Sequence, residues 1–224
     1  MAAAKKIYQG PQNPRTGAQI YPGQVVGTEA GWPSYWGATA PVRADFWRLW
    51  VYDNPAWDWW SFDFDRDLAV SLGRTGALVD HLNPDLSAFK ARGGKLITFQ
   101  GWADPVVSAL DTIAYYDKVR ARQGPEIDQF FRLFMVPGMD HCRGGPGVNV
   151  FGNGGTAAPN VGAGNDLLMA LDRWVEQGVA PDRLIAARVA NGAVTRTRPL
   201  CAYPKKAVYR GSGSTDDAAN FACQ

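Results

Sequence analysis

Two ionisable side chains, Asp104 and His141, follow apolar segments in a pattern that suits acid–base chemistry. Each comes after a short run rich in Leu, Ile and Phe that ends in a glycine-containing loop; the runs are Lys95–Gln100 and Phe130–Val136. A carboxylate beside an imidazole holds one tautomer and stabilises the imidazolium, and the imidazole can take a proton from a serine hydroxyl. The pair therefore predicts general acid–base chemistry at His141, oriented by Asp104.

The segments that carry this pair predict a βαβ unit. Both apolar runs are too short for helices and lack 3.6-residue periodicity, so they fit strands buried on both faces, as in a parallel sheet. Between them, Asp111–Arg122 places apolar residues at helical spacing. Loops that leave the carboxyl ends of neighbouring parallel strands build the active site of an open sheet. We therefore expect Asp104 and His141 to meet.

Each residue taken alone also has a purely structural interpretation. Asp104 precedes Pro105, which is typical of a helix N-cap followed by proline at the first helical position. His141 alone is compatible with an ordinary loop histidine. Their chain order, acid and then histidine, is that of the last two triad members in α/β-hydrolases, which favours the catalytic interpretation. The other histidine, His81, follows no predicted strand, and we expect it to be structural or exposed.

The motifs around the pair are specific enough to suggest a family. The segments GGKLITFQGWADP, YYDKV and MVPGMDHCRGGPG resemble the tannase and feruloyl esterase family of serine esterases, and the block HCRGGPG is the most specific of them. The flanking segments KIYQGPQNPRTGAQIYPG, WDWWSFDFDRD and NPDLSAFKARGGKL fit the same family. The resemblance extends from about Lys5 to Cys223. It implies that Asp104 is the triad acid and that His141 is the triad base.

The resemblance also implies a fold and a division of the chain. It predicts the α/β class, with the C-terminal part of an α/β-hydrolase core in which helices flank a mostly parallel sheet. An aromatic, Pro- and Gly-rich end of a lid region would precede that core. Residues 1–60 are expected to be the end of the lid region and its return to the core. Residues 61–224 are expected to be the C-terminal part of the catalytic domain.

The nucleophile that completes such a triad is not found in this sequence. No Gly-x-Ser-x-Gly occurs in the 224 residues, and the family's Gly-Cys-Ser-x-Gly-Gly elbow would lie before residue 1. Ser108 is the only serine near a predicted strand end, but it falls at the start of the predicted helix. We therefore expect the chain to supply Asp and His, to be inactive alone, and to pair with the missing N-terminal part. The alternative is a non-catalytic binding or partner-association domain derived from such a hydrolase.

Substrate and cofactor expectations come from the resemblance alone. It implies a small aromatic ester, such as a galloyl, feruloyl or terephthaloyl ester, and nothing in the residues chooses among them. It implies no cofactor in this chain, because the family's lid calcium site would lie upstream. Asp63, Asp65 and Asp67 alternate as in a calcium loop but lack its glycine and its final glutamate. We expect Asp65 or Asp67 to cap a short helix over Leu68–Leu72 instead, and we assign no metal ligand.

The cysteines bear on the cellular compartment. Cys201 and Cys223 flank a polar loop and could pair, as the family likeness supports, while Cys142 matches a family cysteine that bonds beside the missing serine. Alternatively all three are reduced thiols; no spacing typical of a metal site occurs. Disulfides would imply an oxidising compartment, so the parent enzyme is expected to be secreted or periplasmic. The start of the chain lacks the apolar segment of a signal peptide.

Charge and hydropathy exclude two classes of partner. The chain has 23 basic and 21 acidic residues, a net charge of +2, with the basic residues scattered. This distribution gives no electrostatic footprint for nucleic acid. No apolar run approaches the roughly 18 residues that a membrane-spanning helix needs. We therefore expect neither a nucleic acid nor a membrane as partner.

Two further elements are predicted after the histidine. Asn165–Gln177 is the clearest amphipathic helix in the chain, with a glycine at its end. Its expected apolar stripe consists of Leu167, Leu168, Leu171, Trp174 and Val175. A hairpin is then predicted around Asn191–Gly192, a dipeptide that favours tight turns.

Overall fold

The computed structural model of the chain describes residues 2–36 and 43–224. These residues form two compact units, of which the first ends at Asn83 and the second begins at Pro84. The α-helices are α1 (Ala2–Gln9), α2 (Trp32–Trp36), α3 (Arg66–Ser71), α4 (Ala77–Val79), α5 (Ser87–Ala91), α6 (Ala109–Gln123) and α7 (Leu167–Gln177). The strands are β1 (Leu96–Gly101), β2 (Phe131–Val136), β3 (Arg183–Ala190), β4 (Ala193–Cys201), β5 (Ala207–Tyr209) and β6 (Phe221–Cys223). The expected division of lid from core after residue 60 stays a prediction.

The first unit is built from short helical turns joined by loops. Its aromatic segment Phe46–Val51 forms a π-helical turn. Aromatic rings pack beside this turn: Trp57 stacks on Trp47 and on Tyr52, with ring centroids 6.0 and 5.3 Å apart. Aromatic pairs at such distances add to the stabilisation that burial provides.

The helix expected over Leu68–Leu72 forms as α3, but its capping was predicted wrongly. Asp63, rather than Asp65 or Asp67, accepts hydrogen bonds from the backbone N–H groups at the start of the helix, at 3.0 and 2.7 Å. The Asp65 carboxylate turns away to Arg15. Asp67 is buried and bonds to Arg66 and Tyr52. The Arg66 guanidinium is the main cause that lowers the pKa of Asp67 to about 2, against the opposing effect of burial.

The second unit contains the predicted βαβ unit. Strands β1 and β2 pair in parallel, with Leu96 opposite Phe131 and Gly101 opposite Val136, and α6 connects them. Ser108 caps α6 by accepting a hydrogen bond from the Leu110 backbone N–H at 3.3 Å. Because the strands run in parallel and in register, their carboxyl ends lie side by side. The loops that carry the two candidate residues therefore leave from the same edge of the sheet.

Strand β2 is buried on both faces, as its continuous apolar sequence predicts. Phe131 and Leu133 pack in one cluster with Tyr116 and Val119 of α6. Phe134 packs in a second cluster, which also contains residues of α7 and of the β3–β4 hairpin. Successive side chains of a strand point to opposite faces, so β2 joins the two parts of the core.

Helix α7 forms where it was predicted, but its apolar stripe was placed wrongly. Leu168 is 69% exposed and Val175 is 56% exposed, whereas Ala170 and Trp174 are buried. The face that packs on the core also includes Leu167, so the buried positions follow the spacing i, i+3 and i+7. The small side chain of Ala170 lets the helix backbone approach the core closely.

The last segments of the chain are held by a covalent link. Strands β3 and β4 form the predicted antiparallel hairpin, and both turn residues, Asn191 and Gly192, have positive φ angles. Cys201 at the end of β4 is bonded to Cys223 of β6, which confirms this expected pair. In the described ranges, none of the helices has the length and apolar character needed to cross a membrane.

Candidate functional site

The two candidate residues meet across the loops that follow β1 and β2. His141 Nδ1 lies 2.8 Å from Asp104 Oδ2. Asp104 is 2% exposed, whereas the His141 side chain is 50% exposed. A buried carboxylate accepts the hydrogen bond, so the imidazole carries its proton on Nδ1. The lone pair on Nε2 then remains free to accept a proton.

The two oxygens of Asp104 bind different groups. Oδ1 accepts hydrogen bonds from the backbone N–H groups of Val106 and Val107, at 2.8 and 3.0 Å. Oδ2 accepts from His141 and from the side-chain amide of Gln100, at 2.8 Å in both cases. The structural interpretation of Asp104 thus holds for one oxygen, which caps a turn, although the helix begins later, at Ala109.

A side-chain relay runs from α6 to the imidazole. Thr112 Oγ1 donates to Gln100 Oε1 at 3.1 Å, and this fixes which end of the Gln100 amide faces Asp104. The Gln100 Nε2 group then donates to Asp104 Oδ2. The relay therefore orients the Asp104 oxygen that binds the His141 imidazole.

Close backbone contacts bring the two loops together. The Trp102 N–H donates to the Val136 carbonyl at 2.9 Å, and the Ala103 N–H donates to the Met139 carbonyl at 3.0 Å. A side chain on Gly101 would overlap the Met139 carbonyl oxygen. Glycine is therefore required at the end of β1, because the histidine loop passes directly against its backbone.

The histidine loop is also fastened by a buried asparagine. Asn153 is 1% exposed, and its Nδ2 donates to the Cys142 carbonyl at 2.9 Å. Its Oδ1 accepts from the Phe151 backbone N–H at 3.0 Å. Cys142 itself has a φ of +64°, a conformation that non-glycine residues rarely adopt. The asparagine thus helps to hold the strained residue directly after His141.

A second carboxylate, Asp140, precedes the histidine and is half-buried. Burial raises the pKa of Asp140 above its ordinary value, and the negative charge of Asp104 raises it further. Burial disfavours the charged form of a carboxyl group, and a like charge nearby disfavours it further. The neutral form of Asp140 is therefore favoured beside the candidate pair.

The other sequence candidates lie elsewhere or serve different roles. Ser108 is buried and accepts the α6 capping bond. His81 is exposed in a loop of the first unit. Cys142 is an exposed free thiol. Within the described residues no cluster of three metal-ligating side chains occurs. The His141 side chain is hydrogen-bonded to Asp104.

Comparisons with known proteins identify the family to which the chain belongs. The family profile described as "Tannase and feruloyl esterase" matches residues 1–224. The chain belongs to the tannase and feruloyl esterase family. A solved relative, the feruloyl esterase B from Aspergillus oryzae, superposes on all of this chain with a TM-score of 0.91 at 29% identity. This likeness confirms the predicted α/β class and hydrolase-type core.

Relatives in this tannase and feruloyl esterase family are longer than the chain. An uncharacterised esterase of Xanthomonas campestris is 41% identical over an alignment 255 residues long, which covers 97% of this chain and 44% of that protein. A probable feruloyl esterase B-2 of Aspergillus oryzae is 35% identical and matches 92% of this chain and 41% of its own length. The solved feruloyl esterase B is covered over 45% of its chain. The chain therefore spans somewhat less than half of these family members.

Sequence patterns missed the residues that support the pair. Gln100 and Thr112 were assigned only to a strand and a helix, and Asn153 was not assigned a role. The available signal is the polar Gln100 at the end of a largely apolar strand, because a polar side chain in a buried strand needs a partner.

Proposed function

We propose that this chain supplies the acid and the base of a Ser-His-Asp triad in a carboxylic ester hydrolase. The hydrogen bond between His141 Nδ1 and Asp104 Oδ2 carries the proposal, since it sets the tautomer that a triad histidine needs. Family membership supports ester hydrolysis as the reaction. The nucleophilic serine comes from outside these 224 residues, because the sequence lacks a nucleophile elbow.

The proposed mechanism follows from the position of His141. Its Nε2 accepts the proton of the serine hydroxyl as the serine oxygen attacks the ester carbonyl, and Asp104 stabilises the imidazolium that forms. The imidazolium then gives this proton to the departing alcohol, which leaves an acyl-serine. Water attacks the acyl group while Nε2 takes its proton. Return of that proton to the serine oxygen releases the carboxylic acid and restores the site.

The proposed substrates are aromatic-acid esters, and the proposed location is an oxidising compartment. The names of the feruloyl esterase relatives support an ester of an aromatic acid. The Cys201–Cys223 bond supports secretion or the periplasm, since disulfides persist where thiols are not kept reduced. Pairing of Cys142 with a cysteine outside this chain remains part of the same proposal.

A chimera tests the triad roles directly. We would join this chain to the N-terminal part of the Xanthomonas esterase, which is 41% identical over the shared region, and measure hydrolysis of methyl ferulate and methyl gallate. His141→Ala and Asp104→Asn should each lower kcat by roughly 10³- to 10⁴-fold or more, as loss of a triad member does in other serine hydrolases. His81→Ala is the matched control, because it removes the other histidine, and it should retain full activity.

The isolated chain provides the complementary test. Purified alone, it should hydrolyse p-nitrophenyl acetate no faster than the His141→Ala variant, and a fluorophosphonate probe should label none of its serines. If the isolated chain turned over and His141→Ala abolished the turnover, a serine within these residues would be the nucleophile. The proposal that the nucleophile lies elsewhere would then be wrong. Ser108→Ala would identify or dismiss the one strand-end candidate.

A further inference from the structure

A cavity of about 600 Å³ lies in the second unit beside the end of β4. Its lining includes neither Asp104 nor His141. Apolar groups form much of the wall, among them Trp102, Pro137, Val148, Tyr203 and Phe221. Pockets for small organic ligands are typically of this size and character, with a few polar groups that fix the orientation of the ligand.

The polar groups of this cavity are cationic. Arg196, Arg198, Lys205 and Lys206 all line it. Arg196 is paired with Asp216, with Nε 2.5 Å from the carboxylate oxygen. The other three cations have no ion pair with any carboxylate in the residues that the structure describes. The wall therefore carries an excess of positive charge beside an apolar surface.

Arg198 is the most informative of these cations, because it is half-buried. Its guanidinium lies 3.8 Å from the centre of the Phe221 ring, and this contact restricts its orientation. Burial, followed by the like charge of Arg196, lowers the pKa of Arg198, and Asp216 opposes this only in part. A desolvated guanidinium without a carboxylate partner is a strong site for an anion, which it binds through parallel N–H donors.

We infer that this cavity binds a small organic anion in which a flat apolar group is joined to a carboxylate. The apolar body packs on the aromatic and proline wall, and the carboxylate pairs with Arg198. Lys205 and Lys206 are exposed and add attraction at the rim. The site differs from the Asp104–His141 pair, so this inference does not depend on the proposed hydrolase function.

The competing possibilities differ in what the cavity recognises. A purely apolar pocket would take a neutral aromatic as well as its acid. A simple cation patch would take inorganic phosphate as well as an aromatic acid. A site for an organic carboxylate recognises both the apolar group and the carboxylate. It therefore binds the aromatic acid more tightly than either the neutral aromatic or inorganic phosphate.

Isothermal titration of the 224-residue chain with 2-naphthoate, 2-naphthamide and inorganic phosphate separates these cases. Naphthoate should bind at least about tenfold more tightly than the neutral amide, because a charge-assisted hydrogen bond accounts for that ratio or more. Arg198→Gln should weaken naphthoate binding by about the same factor without changing naphthamide binding. Lys118→Gln, an exposed lysine on α6 that does not line the cavity, is the control and should bind as the wild type does.

Methionine NMR places the ligand. Met135 lines the cavity, whereas Met169 lies on α7 outside it. With isotope-labelled methionine methyl groups, bound naphthoate should shift the Met135 signal through its ring current and leave that of Met169 unchanged.

If Arg198→Gln disturbs folding, the exposed pair Lys205→Gln and Lys206→Gln serves in its place and should weaken naphthoate binding severalfold. Equal affinity for naphthoate and naphthamide, tight phosphate binding, or an unshifted Met135 signal would each overturn the inference.

Discussion

His141 Nδ1 and Asp104 Oδ2 lie 2.8 Å apart, although their positions in the sequence differ by 37. The parallel pairing of β1 with β2 brings them together, because it sets the carboxyl ends of the two strands side by side. Asp104 is anchored independently through its other oxygen, which binds the backbone of Val106 and Val107. The carboxylate is therefore in place whether or not the imidazole is protonated.

The Gln100–Thr112 relay should control how firmly Asp104 holds the imidazole. Gln100→Leu removes a donor from the oxygen that binds His141, so Oδ2 is held less firmly even though the backbone still anchors Oδ1. The His141 Nδ1–H should then exchange with water at least about tenfold faster, in line with the loss of one hydrogen bond to a charged group. Thr112→Val should act in the same direction but less, because it only frees the Gln100 amide to turn. NMR measures the exchange of the His141 Nδ1–H with water, and His81 provides the internal reference. An unchanged exchange rate in both variants would show that Gln100 and Thr112 do not help Asp104 to hold the imidazole.

Asn153 should stabilise the histidine loop. Asn153→Ala leaves the Cys142 carbonyl and the buried Phe151 N–H without their partner, which we expect to lower the free energy of unfolding by about 1–3 kcal/mol. Asn160→Ala, at an exposed position in the same loop, is the matched control and should leave stability within about 0.5 kcal/mol of wild type. Urea unfolding measures both variants. Equal stability of the two would show that Asn153 does not hold the loop.

Asp140 should make stability fall as the pH rises. Its pKa is raised in the folded protein, so the native state holds this proton more tightly than the unfolded chain does. The Asp140 contribution is fully present below the ordinary aspartate pKa and is lost as the pH rises through the raised native value. Asp140→Asn removes this loss, so the variant should gain stability relative to wild type as the pH rises from below the ordinary aspartate pKa towards neutrality.

A double mutant separates the two causes of the raised Asp140 pKa. Burial is the larger cause and the charge of Asp104 the smaller one. In an Asp104→Asn background, the gain from Asp140→Asn should therefore shrink without vanishing. Urea unfolding at the acidic and the neutral end of this range measures each variant. A difference between wild type and Asp140→Asn that does not change with pH would contradict the raised pKa.

The Cys201–Cys223 bond should stabilise the end of the chain. It closes a loop with a sequence separation of 22 residues, for which loop-closure entropy predicts about 3 kcal/mol. Urea unfolding with and without dithiothreitol measures this loss. Cys142→Ala is the matched control: because Cys142 is a free thiol, the variant should lose the same stability on reduction. A protein whose unfolding is indifferent to dithiothreitol would contradict the prediction.

Local patterns were sufficient for the elements that carry the candidate pair. The apolar runs before Asp104 and His141 predicted the two strands, and the helical spacing between them predicted α6. The turn at Asn191–Gly192 was predicted for the same reason, because backbone conformation there depends on neighbouring residues. The stripe on α7 was less well predicted: Leu168 and Val175 lie next to the buried face, and periodicity alone does not decide which of two adjacent positions is covered.

Three properties could be predicted without any coordinates: the order of the strands, the sequence of acid and histidine after them, and the lack of a nucleophile elbow within these residues. Other properties became visible only in the folded chain. Gln100 and Thr112 support Asp104, Asn153 holds the histidine loop, and Arg198 lines a largely apolar cavity. The physical reason is the distance along the chain over which each property is determined. Secondary structure follows from side-chain periodicity over a few residues, whereas these contacts depend on the pairing and packing of segments far apart in the chain.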